Sequence, residues 1–327
     1  MSTKVAVIGI KNQAARHIEL VRKRNDLQLS AVYHPTAKKG DLDLPVTNNF
    51  DEVLRSDAVI ISSPTPTHAD YLQRLNDFQG YVLIEKPAVS TLQENKILEA
   101  WGKKRKSRTR VNFNLCFSRL TSVLREVLVG GMLGNLITFD VHTSQGLAFH
   151  PRYEQSWRSA KGSSFGVLET VGVHYLHLVL LLFGKIVKLD FDLMRKAGHR
   201  EGPPDVGIFR LQMSEGPLIT LRHTYASPCC NRMFLLGTNG FWEYDGMSSK
   251  LYAPRDTFDK NGRFIVPPVI REDKIEHPLA WRESLERAQE NFFSIVLEGG
   301  CFEPEEFDLA LRAMEPIFAA QKREGLL

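Results

Sequence analysis

The sequence predicts an α/β fold in two parts: an N-terminal doubly wound parallel sheet, then a C-terminal α+β domain with a largely antiparallel open sheet. Three observations predict it. Short apolar runs alternate with helical patterns through the first part, as βαβ units require. Beyond it, several strand patterns follow one another with no helix between them. The 327 residues suit two domains at about 100–200 residues each. The expected division is residues 1–117 and 118–327.

Val5–Ile8 is a continuous apolar run of the kind that a strand buried on both faces needs. Ala14, Ile18 and Val21 then repeat at helical spacing. Leu27–Tyr33, Ala58–Ser62, Tyr81–Ile84 and Val111–Phe113 read as further strands, and Thr67–Leu75 and Thr91–Trp101 as helices. Ser90 and Gln93 have the spacing of a capping box. In the second part, Asn135–His142 alternates, with Ile137, Phe139 and Val141 on one side. Val187–Leu193, Gly207–Met213, Leu218–Thr224, Met233–Leu236 and Phe241–Tyr244 are strand patterns, the last entered through the turn pair Asn239-Gly240. A long helix is expected over Ser164–Phe183, and two amphipathic helices, Glu283–Leu297 and Glu305–Lys322, at the end.

Composition narrows the function classes. Against 42 basic side chains stand 38 acidic ones, a net charge of +4. So even a balance argues against a nucleic-acid or membrane partner. The basic run Lys103, Lys104, Arg105, Lys106, Arg108, Arg110 is expected to be a solvated helix end. Cys116, Cys229, Cys230 and Cys301 show no metal-ligand spacing, so no metal site is expected, and they fit a reducing compartment. Val171–Phe183 is too short to span a bilayer, and Val5–Ile10 is too short for a signal peptide. A cytoplasmic protein is expected.

The first turn carries the first functional signal. A dinucleotide-binding domain of the Rossmann type places glycines between strand and helix, so that pyrophosphate sits on the helix N-terminus. Here the segment is Gly9-Ile10-Lys11-Asn12-Gln13-Ala14. Gly9 keeps the first glycine position; Lys11 stands at the second and Ala14 at the third. Lys11 crowds the usual phosphate path, but its ammonium can pair with phosphate oxygens. A plain strand–turn–helix without a ligand gives the same pattern. After the second strand no carboxylate is available for a ribose 2′-hydroxyl; the chain reads His34-Pro35, then Lys38 and Lys39. Basic groups there favour NADP(H) over NAD(H), and a basic surface loop is the competing explanation.

Two further turns end strands at the edge where open α/β sheets bind ligands. One is Ser62-Ser63-Pro64-Thr65-Pro66-Thr67-His68; the other is Glu85-Lys86-Pro87, where the Lys-Pro bond is a candidate for cis. A third segment, Gly166–His177, holds Gly172 and His174. Thr170, His174 and His177 fall at spacings of four and three and are expected to share a helix face.

In this order and strand context, the three segments resemble the GFO/IDH/MocA oxidoreductase family, and the resemblance covers nearly the whole chain. It implies hydride transfer between a nicotinamide and a hydroxyl or keto carbon of a sugar, nucleotide-sugar or polyol. Lys86 and His174 would be catalytic. Gly9, Lys11, Asn12, Gln13, His34, Ser63, Pro64, Thr65, His68 and Glu85 would meet the cofactor. Trp157, Arg158, Thr170 and His177 would meet the substrate. Thr170 and His177 replace family acids, and Cys116 stands about where the family often has an arginine. These departures and Lys11 keep a second expectation open: a family member that binds without turnover, as a sensor, corepressor or assembly partner. The resemblance also implies a homo-oligomer formed through the C-terminal sheet.

Overall fold

The computed structural model describes residues 2–37, 44–156, 158–159, 165–198 and 202–325. The chain forms two compact units: residues 1–114 with Leu285–Arg312, and Leu115–Ser284 with Ala313–Leu327.

The first unit is built on six parallel strands: β1 (Thr3–Ile8), β2 (Leu27–Tyr33), β3 (Val46–Thr47), β4 (Ala58–Ile61), β5 (Tyr81–Glu85) and β6 (Thr109–Asn112). Their order, β3-β2-β1-β4-β5-β6, reverses direction at β1/β4. A doubly wound sheet opens a ligand crevice there, outside the carboxyl ends. Helices α1 (Gln13–Arg22), α2 (Phe50–Leu54), α3 (His68–Arg74), α4 (Leu92–Glu99) and α5 (Lys103–Lys106) connect the strands. The core joins Val5, Val7, Ile18, Val32 and Ile60 to Phe292, Phe293, Val296 and Phe302, which explains why Leu285–Arg312 belongs to this unit.

Two local expectations shift. The capping box of α4 is made by Thr91 and Glu94, one residue on from Ser90 and Gln93: Glu94 N donates to Thr91 Oγ1 at 3.2 Å, and Thr91 N to Glu94 Oε2 at 3.0 Å. The basic run is not uniformly solvated, since Arg105, Lys106 and Arg110 are each buried. Arg105 donates to Phe78 O at 2.5 Å and to Thr109 Oγ1 at 3.1 Å. Burial, with Arg108 nearby, pulls its pKa down to about 10. Lys106 donates to Asp308 Oδ1 at 2.7 Å, and Arg110 to Glu306 Oε2 at 2.8 Å. A buried cation needs partners of this kind, and apart from Thr109 they come from residues too distant in sequence for local reading to find.

The second unit is built on eight strands: β7 (Leu136–Ser144), β8 (Ile186–Met194), β9 (Val206–Met213), β10 (Leu218–Thr224), β11 (Cys230–Gly237), β12 (Phe241–Tyr244), β13 (Ser248–Tyr252) and β14 (Val269–Lys274). Their order is β14-β13-β12-β11-β7-β10-β9-β8. All pairs are antiparallel except β7 with β10. Alternation is clear along β7, where Phe139 and Val141 are buried; Ile137, near the strand's start, is 45% exposed. Short β13 and polar β14 lack the apolar run that would reveal them.

Helix α6 (Arg119–Val129) precedes the sheet. Ser164, where a long helix is expected to begin, lies outside the described residues; the helix runs through a π-helical turn, Leu168–Gly172, into α7 (Val173–Phe183). It lies on the sheet where Gly207 leaves room: a Cβ there would come within 2.2 Å of Leu168 Cδ2. At the end, α8 (His277–Leu297) is followed by α9 (Pro304–Arg312) and α10 (Glu315–Arg323), two helices where one was expected. Pro316 is the second residue of α10, in the first turn, where proline's missing N–H does no harm.

Candidate functional site

In the first unit, the three strand-ending turns gather at the carboxyl edge. Gly9 follows β1 with φ 121°, and a Cβ on it would stand 2.6 Å from Ser62 O, just beyond β4. Only glycine allows that approach. Lys11 adopts no positive φ; the residue that does is Asn12, at 56°. Lys11 and Asn12 are exposed and Gln13 is half-buried. Asn12 precedes α1 and makes no side-chain cap bond; in the first turn, Ala14 N donates to Lys11 O at 3.2 Å. Gln13 Oε1 accepts from Arg16 Nη1 at 2.8 Å.

After β2, His34 Nδ1 meets Thr36 Oγ1 at 3.1 Å. Lys38 and Lys39 lie outside the described residues. Beside this strand end, Arg74 stacks its guanidinium 3.5 Å over Phe50 and 5.7 Å from the Tyr33 ring. A groove of about 540 Å³ is lined there by Thr67, Asp70, Tyr71, Gln73 and Arg74.

After β4, Ser63 Oγ accepts from Thr67 Oγ1 at 2.8 Å. Pro64 is exposed and Thr65 buried. The chain turns as a short 3-10 segment, Thr65–Thr67, into α3. His68, its first residue, is 1% exposed and places both ring nitrogens on backbone carbonyls, of Pro87 at 2.7 Å and of Ser63 at 2.9 Å. Burial lowers its pKa, against the pull of those two carbonyls.

After β5, the Lys86-Pro87 bond is cis and Lys86 is half-buried. Glu85 is buried, and its Oε1 accepts from His17 Nε2 at 2.8 Å and Asn112 Nδ2 at 2.7 Å. The sequence suggests Glu85 and His68 as cofactor contacts; the structure puts Glu85 Oε1 and both His68 ring nitrogens on protein partners. His17, Asn112 and Gln289 escape sequence reading as site residues. The one signal for His17 is a histidine on an otherwise apolar stripe with Ala14, Ile18 and Val21.

This edge fits a dinucleotide. The Gly9 turn admits a close backbone approach. Two buried polar atoms with no hydrogen-bond partner among the described residues, Ser62 Oγ and Asn112 Oδ1, follow β4 and end β6.

In the second unit, Thr170, His174 and His177 lie on one π-then-α helical segment. The π turn changes the winding at Thr170, so the straight-helix spacing does not hold there. Thr170 Oγ1 donates to Gly166 O at 2.8 Å and also bonds the Tyr225 hydroxyl. Because the Thr170 proton goes to Gly166, Tyr225 is the donor in the second bond. Arg158 lies close enough to Tyr225 to lower its pKa, while burial, the larger influence, raises it. Thr170 and Arg158, both expected at the substrate, therefore meet on Tyr225, which sequence reading misses; nothing local marks it. Trp157 lies outside the described residues. Glu169 is buried and accepts from Phe165 N at 2.6 Å, and its charge acts on Tyr225 to raise that pKa. His174 is buried, its ring edge-on to Trp281 at 4.9 Å. His177 Nδ1 faces Cys116 Sγ at 3.3 Å, and burial, with Arg125, drives its pKa down to about 3. The imidazole is neutral at physiological pH, and its tautomer sets whether Nδ1 accepts from the Cys116 thiol or donates to its sulfur.

Among the described residues no group of three or more His, Cys, Asp or Glu can hold a metal ion, and no helix is long and apolar enough to cross a membrane.

Comparison with known proteins agrees with both units. Residues 3–113 match the model of an oxidoreductase family with an NAD-binding Rossmann fold, and residues 121–243 match the GFO/IDH/MocA C-terminal domain. The chain is 24% identical over 188 residues to glucose-6-phosphate 3-dehydrogenase of Bacillus subtilis (strain 168), covering 55% of this chain and 53% of that protein. It is 22% identical over 222 residues to scyllo-inositol 2-dehydrogenase (NADP(+)) of the same organism, covering 66% and 60%. These matches thus span little more than half the length of the relatives. Among solved structures, levoglucosan dehydrogenase in complex with NADH and levoglucosan has the same fold, at TM-score 0.79 and 16% identity over 100% of this chain and 98% of that one. A myo-inositol dehydrogenase from Corynebacterium glutamicum ATCC 13032 gives TM-score 0.76 at 17% identity over 98% and 96%. With matching models on both units and the same fold in these dehydrogenases, the chain belongs to the GFO/IDH/MocA oxidoreductase family.

Proposed function

We propose that this protein is an NAD(P)-dependent dehydrogenase or reductase acting on a CH–OH or keto carbon of a sugar-like polyol. The observation that carries the reading is the Glu85-Lys86-Pro87 turn, built at the carboxyl end of a buried strand beside the β1/β4 switch point. The nicotinamide, when bound, supplies or accepts hydride. Lys86 places an ammonium against the substrate oxygen, where it stabilises developing negative charge. His174 exchanges the proton of that oxygen. Gly9 and the start of α1 receive the pyrophosphate, with Lys11, Asn12, Gln13, Ser63, Pro64 and Thr65 around it. Thr170, Arg158, Trp157 and His177 serve the substrate side.

NADP(H) is the preferred cofactor in this reading. No carboxylate follows β2 in His34-Pro35-Thr36, and the Arg74 guanidinium stands beside the Tyr33 end of that strand. The outer face of the second sheet supports a homo-oligomer: Phe241 packs 5.3 Å from Phe234 and 4.3 Å from Tyr252, all three half-buried. Four free cysteines support a reducing compartment, the cytoplasm.

One observation favours a non-catalytic binder instead. Thr170 is engaged by Gly166 and Tyr225 and gives His174 no charge. A panel of polyols, sugars and sugar phosphates, incubated with NADP+ and followed by nicotinamide absorbance, separates the two. Turnover of at least one panel member is expected. Tight cofactor binding with no turnover across the panel would favour the binder.

A further inference from the structure

We infer that His17 and His68 are positioning residues for Lys86, holding the Glu85-Lys86-Pro87 turn from both ends, one through the Glu85 carboxylate and the other through the Pro87 carbonyl. The inference rests on the reading above that Lys86 is the working lysine.

At the first end, His17 projects from α1 into the core and is 0% exposed. A buried imidazole must have both nitrogens used. The Gln289 amide donates to its Nδ1 at 3.0 Å and to its carbonyl at 3.4 Å. Nδ1 is therefore the acceptor, and the ring proton sits on Nε2, which donates to Glu85 Oε1 at 2.8 Å. Asn112, opposite Glu85 in the β5/β6 register, donates to the same oxygen at 2.7 Å. Burial raises the Glu85 pKa, but the bonds from His17 and Asn112, with the charge of Lys86, outweigh it and leave the carboxyl below its ordinary value. The next residue in the chain is thus held beside a fixed anion.

At the second end, His68 of α3 grips Pro87 O and Ser63 O. A protonated ring donates to both, a neutral ring to one at a time. Two motifs well apart in sequence, Pro64-Thr65-Pro66-Thr67-His68 and Glu85-Lys86-Pro87, are thereby one mechanical unit, with Lys86 between its two clamps.

Among the described residues, the titratable groups facing Glu85 are His17 of α1, His68 of α3 and Lys86 itself. Asn112 of β6 and Gln289 of α8 are neutral, and Glu94 of α4 acts on His68. Removing the anion should lower the proton affinity of Lys86. Releasing the carbonyl clamp should expose Lys86 without changing its charge environment.

The test is competitive acylation of the full-length protein across pH with trace acetic anhydride. Labelling of Lys86 is read by mass spectrometry against the exposed Lys103. Glu85→Gln, which keeps shape and removes charge, is expected to move the Lys86 midpoint down, so that labelling at a fixed pH below it is roughly tenfold faster. His17→Ala moves it the same way. His17→Gln, whose amide can still donate to Glu85, restores it toward the parent value. His68→Ala raises the plateau rate and leaves the midpoint in place. A Lys86 profile in Glu85→Gln that matches the parent protein overturns the inference, and that variant carries the test alone if His17→Ala does not fold. The labelling uses neither cofactor nor substrate. A protein that shows these shifts yet transfers no hydride overturns the dehydrogenase reading and leaves the positioning intact.

Discussion

Lys86→Ala is expected to lower turnover by about 10²–10³-fold, the loss typical when one preorganised donor to a developing oxyanion is removed. The lysine follows β5, whose Val82, Leu83 and Ile84 are buried, so the substitution removes a half-buried side chain at an edge and leaves the core intact. Cofactor affinity should change little, because the Gly9 turn and the start of α1 are untouched. His174→Ala is expected to lose about 10²–10⁴-fold, the range of a lost proton-transfer group. It is the less clean variant, since His174 packs on Trp281 and its removal leaves a hole. The check is steady-state kinetics on whichever polyol proves active, with thermal unfolding run beside it. Parent rates in both variants would remove Lys86 and His174 from the chemistry.

The second large effect is loss of stability in acid. Burial pushes the pKa of His177 and of His223 down to about 3, from an ordinary 6.5. His223 lies against α7: its ring stacks on Tyr175 at 5.1 Å and its Nδ1 meets Thr143 Oγ1 at 2.6 Å. In the unfolded chain both histidines take a proton as pH falls through their ordinary value; in the fold both stay neutral. Their contribution is complete above that value and is lost between it and the folded pKa. Each proton corresponds to about 1.4 kcal/mol per pH unit, so the pair gives a slope of roughly 3 kcal/mol per unit. Melting temperature should therefore fall steadily as the pH is lowered from neutral. His223→Gln, which cannot titrate, should shallow that fall by about half. A melting temperature flat across this window would mean that these imidazoles are hydrated in solution.

Much of the fold was legible because buried parallel strands announce themselves. Val5–Ile8 and Ala58–Ile61 are continuous apolar runs, and their ends locate the ligand edge of the sheet. Strands that draw their stability from neighbours did not show: Val46–Thr47 is two residues long, and Val269–Lys274 is mostly charged. The candidate site divides in the same way. Gly9, His68 and Lys86 stand in local turns with a recognisable pattern. His17, Gln289 and Tyr225 acquire meaning only through partners far along the chain: Gln289 reaches His17 across nearly its whole length. The buried Arg105 and Lys106 mislead for the same reason, since a run of like charge reads as solvated until the carbonyls and carboxylates that receive it are in place. The π turn at Leu168–Gly172 is a further limit. Spacing arguments assume a regular helix, and this one departs from regularity where Thr170 meets Tyr225.

The most direct test of a working dinucleotide site is titration of the purified protein with NADPH and with NADH, followed by nicotinamide fluorescence. Saturable binding of both is expected, with NADPH the tighter. Binding of neither would contradict the dinucleotide site: the Gly9-Ile10-Lys11 turn would then be closed to such a ligand, and the assignment of Lys86 and His174 to hydride chemistry would fall with it.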